Sequence, residues 1–137
     1  MSRIFADACY WIALLDPKDE LHEPANEAKT RIGTSGLITT DEVLSELLTF
    51  FGDRGVKLRM IASDAVEGIR SAAAVVVVPQ SRESFDSALA LYRSRPDKQY
   101  SLVDCRSFEL MKREGITEAL TGDHHFEQEG FKALLRA

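Results

Sequence analysis

Four carboxylates, Asp7, Glu46, Asp104 and Asp123, lie far apart in the chain, yet each is read as falling where an apolar strand ends or a helix begins. In a parallel α/β sheet such places converge on the carboxyl edge of the strands, where ligands bind. Four acids gathered at one edge repel one another strongly unless a cation or shared protons relieve the charge. Mg²⁺ and Mn²⁺ prefer oxygen ligands. The pattern therefore points to metal-dependent phosphodiester chemistry.

Each acid also has a purely structural reading. Asp7 follows the apolar run Ile4-Phe5-Ala6, where a charge needs a partner or a metal, but it can equally cap the helix that follows. Glu42 and Glu46 are one helical turn apart. Thr39-Thr40-Asp41-Glu42 has the pattern of a capping box, which gives Glu42 an ordinary role. Glu46 has none, and it lies beside Val43 and Phe50 at the border of an apolar stripe. Asp104 stands three residues after Ser101, again a capping-box spacing, with an acid shorter than the usual Glu or Gln. Asp123 leaves a strand through Gly122, as a turn Asp would. His124 and His125 are adjacent and are not expected to face one metal from a regular helix, and His22 reads as a surface helix residue.

The elements that must position these acids alternate between strand and helix. Strands are expected over residues 3–7, 37–40, 75–78 and 118–121, with a short fifth near 132–135. Their near-continuous apolar character suits a buried parallel sheet. Helices are expected over 10–15, 21–32, 41–51, 56–70, from the Ser81 cap to 95, and 101–114, with Gly33, Gly52 and Gly115 as terminal punctuation. The order predicts a three-layer α/β domain, residues 1–137, with a mainly parallel central sheet flanked by helices.

Composition limits the rest. With 45% hydrophobic and 28% charged residues the chain is globular rather than disordered. No apolar run is long enough to span a bilayer, the start lacks a secretory apolar region, and Cys9 and Cys105 form neither a disulfide framework nor a metal-ligand spacing. A cytoplasmic protein with reduced thiols is expected. A net charge of −5 argues against broad coating of nucleic acid, although a bound dication reverses the local field. Three basic groups remain as phosphate contacts or solvated faces: Arg54, Lys57 and Arg59; Arg93, Arg95 and Lys98; Lys112 and Arg113.

Across nearly its whole length the chain resembles the PIN-domain ribonucleases, and among them the VapC-type toxins of toxin–antitoxin pairs. The matching pieces are IFADACYWIALLD, ITTDEVLSELLTFF, YSLVDCRSFELMKREG and ALTGDHHFEQEGF, the last pair being the most specific. The resemblance implies a divalent-metal-dependent endoribonuclease using Mg²⁺ or Mn²⁺. Asp7, Asp104 and Asp123 would bind the metal, Glu46 would complete the catalytic set or orient water, and Ser101 and Thr121 would be supporting polar residues. It further implies an RNA substrate, a cognate antitoxin and a homodimer. Trp11, Phe50, Phe51 and Met60 offer docking surface if they are not core. His125 departs from the pattern, standing where relatives often carry another acid. The alternative is a non-catalytic PIN-fold module that binds RNA or protein. A phosphatase or receiver using Asp7 is disfavoured, because position 9 is Cys9 and no acidic pair precedes Asp7.

Overall fold

The computed structural model describes residues 3–34 and 36–136. Five strands, β1 (Ile4–Ala6), β2 (Leu37–Thr40), β3 (Val75–Val78), β4 (Glu118–Leu120) and β5 (Lys132–Ala133), form one sheet in the order β3-β2-β1-β4-β5. Every neighbouring pair is parallel, so the mainly parallel sheet expected from the sequence is wholly parallel. Phe5, Ala6 and all four residues of β2 are buried, as a sheet covered on both faces requires.

Seven helices flank the sheet: α1 (Ala8–Leu15), α2 (His22–Ile32), α3 (Asp41–Gly52), α4 (Val56–Ser71), α5 (Arg82–Ser94), α6 (Leu102–Glu114) and α7 (His124–Gln128). Their ends follow local chemistry. Thr40 Oγ1 accepts from the Val43 amide and starts α3; Ser81 and Ser84 form a reciprocal capping box for α5. Gly115 ends α6 in the left-handed region, at φ 68°, which costs glycine nothing. The core holds Phe5, Tyr10, Phe108 and Phe126, each almost wholly buried. Phe108 meets Phe126 edge-on at 4.9 Å between ring centroids, which joins α6 to α7.

Three sequence readings change. Helix α1 begins at Ala8 rather than at position 10, so Asp7 is its N-cap residue. Helix α7 was not expected, because five residues carry too little periodicity to reveal a helix. His22 is half-buried rather than a simple surface residue: its Nδ1 lies 2.7 Å from the Ala13 carbonyl and ties α2 to α1. Trp11 and Phe51 belong to the core and Phe50 packs against it, whereas Met60 is exposed.

The chain runs outward from β1 through β2 to β3, then returns to place β4 on the other side of β1. The carboxyl ends of β1 and β4 therefore flank the switch point of the sheet, where a crevice opens in folds of this kind. Asp7 leaves β1 there and Asp123 follows β4.

Candidate active site

A cleft of about 600 Å³ opens at this edge, and Asp7, Glu46, Asp104 and Asp123 all line it. Four elements supply the four acids. Asp7 stands at the N-cap position of α1 at the end of β1, Glu46 projects from the middle of α3, Asp104 sits in the first turn of α6, and Asp123 caps α7. The convergence expected from their placement in the sequence is present in space.

Thr121 joins two of them. Wholly buried, its hydroxyl donates to Asp7 Oδ2 at 2.8 Å and accepts from the Asp123 amide at 3.0 Å. One side chain thus fixes the exits of both central strands. Gly122 follows, and a Cβ there would collide with Leu21 Cδ1 unless that side chain moved aside. Its amide donates to Cys9 Sγ at 3.4 Å. That contact gives Cys9 a structural role, and burial pushes its thiol up to about 11, far from a reactive thiolate.

Ser101 and Asp104 form the expected capping box: Ser101 Oγ accepts from the Asp104 amide at 3.0 Å, and Asp104 Oδ2 accepts from the Ser101 amide at 3.1 Å. The capping and site readings of Asp104 are therefore compatible, since a carboxylate has two oxygens. Asp123 Oδ1 likewise accepts from the His125 amide at 2.9 Å. Asp7 makes no side-chain cap bond to α1, so the capping reading of this residue is not the one adopted.

The electrostatics show an uncompensated cluster. Burial, opposed by the Thr121 hydrogen bond and aided by Asp104 and Asp123, pushes the Asp7 carboxyl up to about 7. Burial, with repulsion from Asp7, Asp104 and Asp123, likewise brings Glu46 to about 7. Asp104 is raised, first by burial and then by Asp123, although the Ser101 amide and His125 hold it down. No lysine or arginine salt bridge reaches any of these four acids among the described residues. Hard oxygen donors facing one cleft without a balancing cation fit a divalent ion well.

The structure also corrects the reading of α7. His124 Nδ1 and His125 Nδ1 both face Asp123 Oδ1, at 3.7 and 3.4 Å, so adjacent histidines do reach a common point. They can because Asp123 is the cap, outside the helical register. His125 Nδ1 also lies 3.1 Å from Asp104 Oδ2. Glu42 is corrected too. It does not close a capping box; its Oε2 accepts from Arg106 Nε at 3.0 Å, in a pair shielded from water. No local pattern marks Arg106, whose partner is 64 residues away. Of the basic groups, Arg95 and Lys112 pair with Glu129, while Arg54 stacks 4.2 Å over the ring of Phe50, which lines the cleft.

Comparison with known proteins agrees with this architecture. The PIN domain pattern matches residues 4–132, and the chain belongs to the PIN domain family. PIN domains are nucleases that act on RNA, and they are generally dependent on divalent metal. Among curated proteins it is 29% identical over 131 residues to the 23S rRNA-specific endonuclease VapC20 of Mycobacterium tuberculosis, in strains CDC 1551 / Oshkosh and H37Rv, covering 93% of this chain and 95% of the relative. The crystal structure of M. tuberculosis VapC20, described as a Sarcin-Ricin loop cleaving toxin, superposes with a TM-score of 0.83 at 28% identity, covering 93% of this chain and 95% of that one.

Proposed function

We propose that this chain is the toxin of a toxin–antitoxin pair, cutting a structured RNA at the cleft between β1 and β4. The observation that carries the reading is the convergence of Asp7, Glu46, Asp104 and Asp123 on one cleft, with no lysine or arginine salt bridge to them among the described residues. Asp7, Asp104 and Asp123 would hold Mg²⁺, or Mn²⁺ in its place. A bound ion supplies a more acidic water and neutralises charge developing on the scissile phosphate.

The chain's own residues do the rest. Thr121 holds Asp7 and the Asp123 backbone at fixed separation, and the Ser101 box holds Asp104. Glu46, ordinarily protonated up to about pH 7 without a cation beside it, can accept or return a proton once its neighbours' charge is relieved. Arg54, beside the cleft through Phe50, would contact substrate phosphate. The likeness to a 23S rRNA-specific endonuclease makes ribosomal RNA the first substrate to test.

An antitoxin would hold the enzyme inactive, and two copies would pair as a homodimer in the cytoplasm. Val56, Met60 and Ile61 of α4 supply exposed apolar surface for protein contacts. No helix among the described residues is long and apolar enough to cross a membrane.

The test is cleavage of purified ribosomes and of total RNA with Mg²⁺, by wild type and by Asp7→Asn. Specific cuts by wild type alone are expected. Cleavage by Asp7→Asn at the wild-type rate would sink the assignment of the site, whereas tight RNA binding without cleavage by wild type would favour the non-catalytic module.

A further inference from the structure

We propose that a trough leading off the acid cleft past Gln80 is the subsite for one unpaired nucleotide of the RNA substrate, whose base packs on Phe85 and whose phosphate meets Arg82. The proposal rests on the nuclease reading of the cleft and deepens it.

Two smaller pockets adjoin the cleft, of about 130 and 370 Å³. Gln80 lines all three spaces. Glu42 and Val103 line both the cleft and the smaller pocket, and Phe85 lines both pockets, so one continuous wall runs from the acids to the start of α5. This wall is held in place. Arg106, 3% exposed, donates from Nε to Glu42 and from Nη2 to the Pro79 carbonyl at 3.4 Å, which anchors the residue before Gln80. The Ser81 and Ser84 amides are each taken up by the other's hydroxyl in the capping box. With those two amides spent on the cap, recognition falls to side chains.

Charge and shape choose the occupant. The four acids and a net charge of −5 repel phosphates, so an RNA strand crossing the cleft needs cations beside it. Arg82 is exposed and makes no salt bridge among the described residues. Its guanidinium lies 5.8 Å from the centroid of the half-buried Phe85 ring. Arg54 stands 4.2 Å over Phe50 in the same way, so a cation paired with a ring occurs at α3 and again at α5. Such a pair can take a base on the ring and a phosphate on the guanidinium, and it accepts any base because each has a π face. A base packed there must have left its helix, since a paired base keeps its faces against its neighbours. The subsite therefore selects loops over duplexes.

Fluorescence anisotropy of a labelled RNA hairpin, and of a blunt duplex of its stem, tests this on the full chain carrying Asp7→Asn to prevent cutting. The hairpin should bind more tightly than the duplex. Adding Phe85→Leu should weaken hairpin binding about 5-fold to 150-fold, the range for losing one base–aromatic contact, and leave duplex binding unchanged. Phe85→Tyr, which keeps the ring, should leave both affinities as they are. Arg82→Gln should reduce the slope of log affinity against log salt by about 0.7, the share of one phosphate on a single strand. In the otherwise wild-type chain with Mg²⁺, Phe85→Leu should raise KM and spare kcat. Hairpin affinity and salt slope unchanged in both variants, which would leave the trough to a protein partner, overturns the inference while leaving the nuclease reading standing. An equal loss for hairpin and duplex in Phe85→Leu does the same. A wild-type chain that cuts no RNA overturns the nuclease reading and this inference together.

Discussion

Arg106 Nε donates to Glu42 Oε2 at 3.0 Å, joining α6 to α3 at the wall of the cleft. The side chains are 3% and 12% exposed, and Glu42 Oε1 is buried with no partner. Glu46 stands one turn beyond Glu42, and Asp104 two residues before Arg106. The pair therefore sets the separation of two acids of the site without joining them.

Breaking this pair from one side should be costly. Arg106→Ala leaves a carboxylate shielded from water and uncompensated, with an expected loss of about 3–5 kcal/mol in urea unfolding. The double variant Glu42→Leu/Arg106→Met should recover most of it, because desolvation of an imperfectly satisfied pair offsets much of its attraction. A single variant as stable as wild type would show the pair to be dispensable.

The metal-free protein should lose stability as pH rises from about 4 to 7. Asp7 and Glu46 each reach about 7 in the folded chain, chiefly through burial, against ordinary values near 4 in the unfolded one. Across that window the folded form binds more protons than the unfolded form, so unfolding releases protons and becomes easier as pH rises. Asp7 alone, raised from 3.8 to about 7, should account for a loss on the order of 4 kcal/mol, since each tenfold change in a group's proton affinity is worth about 1.4 kcal/mol. Urea midpoints in chelator at pH 5 and pH 7.5 measure it. Asp7→Asn should flatten the slope, and saturating Mg²⁺ at about 100 times its dissociation constant should return about 2.7 kcal/mol at the higher pH. A slope of the opposite sign would contradict the uncompensated cluster.

Thr121→Val should separate the two strand exits chemically while keeping the side chain's shape. It strips a donor from Asp7 Oδ2 and an acceptor from the Asp123 amide. About 1–3 kcal/mol of stability should go with them, and divalent-ion affinity should fall about 10-fold or more. Thr121→Ser should restore both quantities. Equal ion affinity in the valine variant and wild type would remove Thr121 from the site's support.

Glu129 governs the acid limb. Burial alone would raise it, but hydrogen bonds from Arg95, Lys112 and Tyr100 prevail and pull the carboxyl down to about 2. A depressed acid stabilises above its unfolded value near 4 and loses that contribution as pH falls toward 2. Glu129→Gln should cost about 2–3 kcal/mol at pH 7, and its stability should change less than that of wild type between pH 4 and 2. Parallel acid titrations of the two proteins by circular dichroism decide the point.

The alternation of apolar runs and capped amphipathic stretches determined the order of elements, because strand and helix periods are written locally. Strand-end placement likewise exposed Asp7 and Asp123, and the first turn of α6 exposed Asp104, since backbone position is local information. What the tertiary structure alone decided is which groups face each acid. Glu42, whose spacing suggested a cap, turns instead to Arg106, and His125, out of place as a metal ligand, lies between two aspartates. Thr121 was marked by family resemblance, but its hold on both strand exits came only with the fold. Those contacts span 64, 21 and 114 residues. No local pattern encodes them, because they exist only once the sheet has brought distant helix ends to one edge.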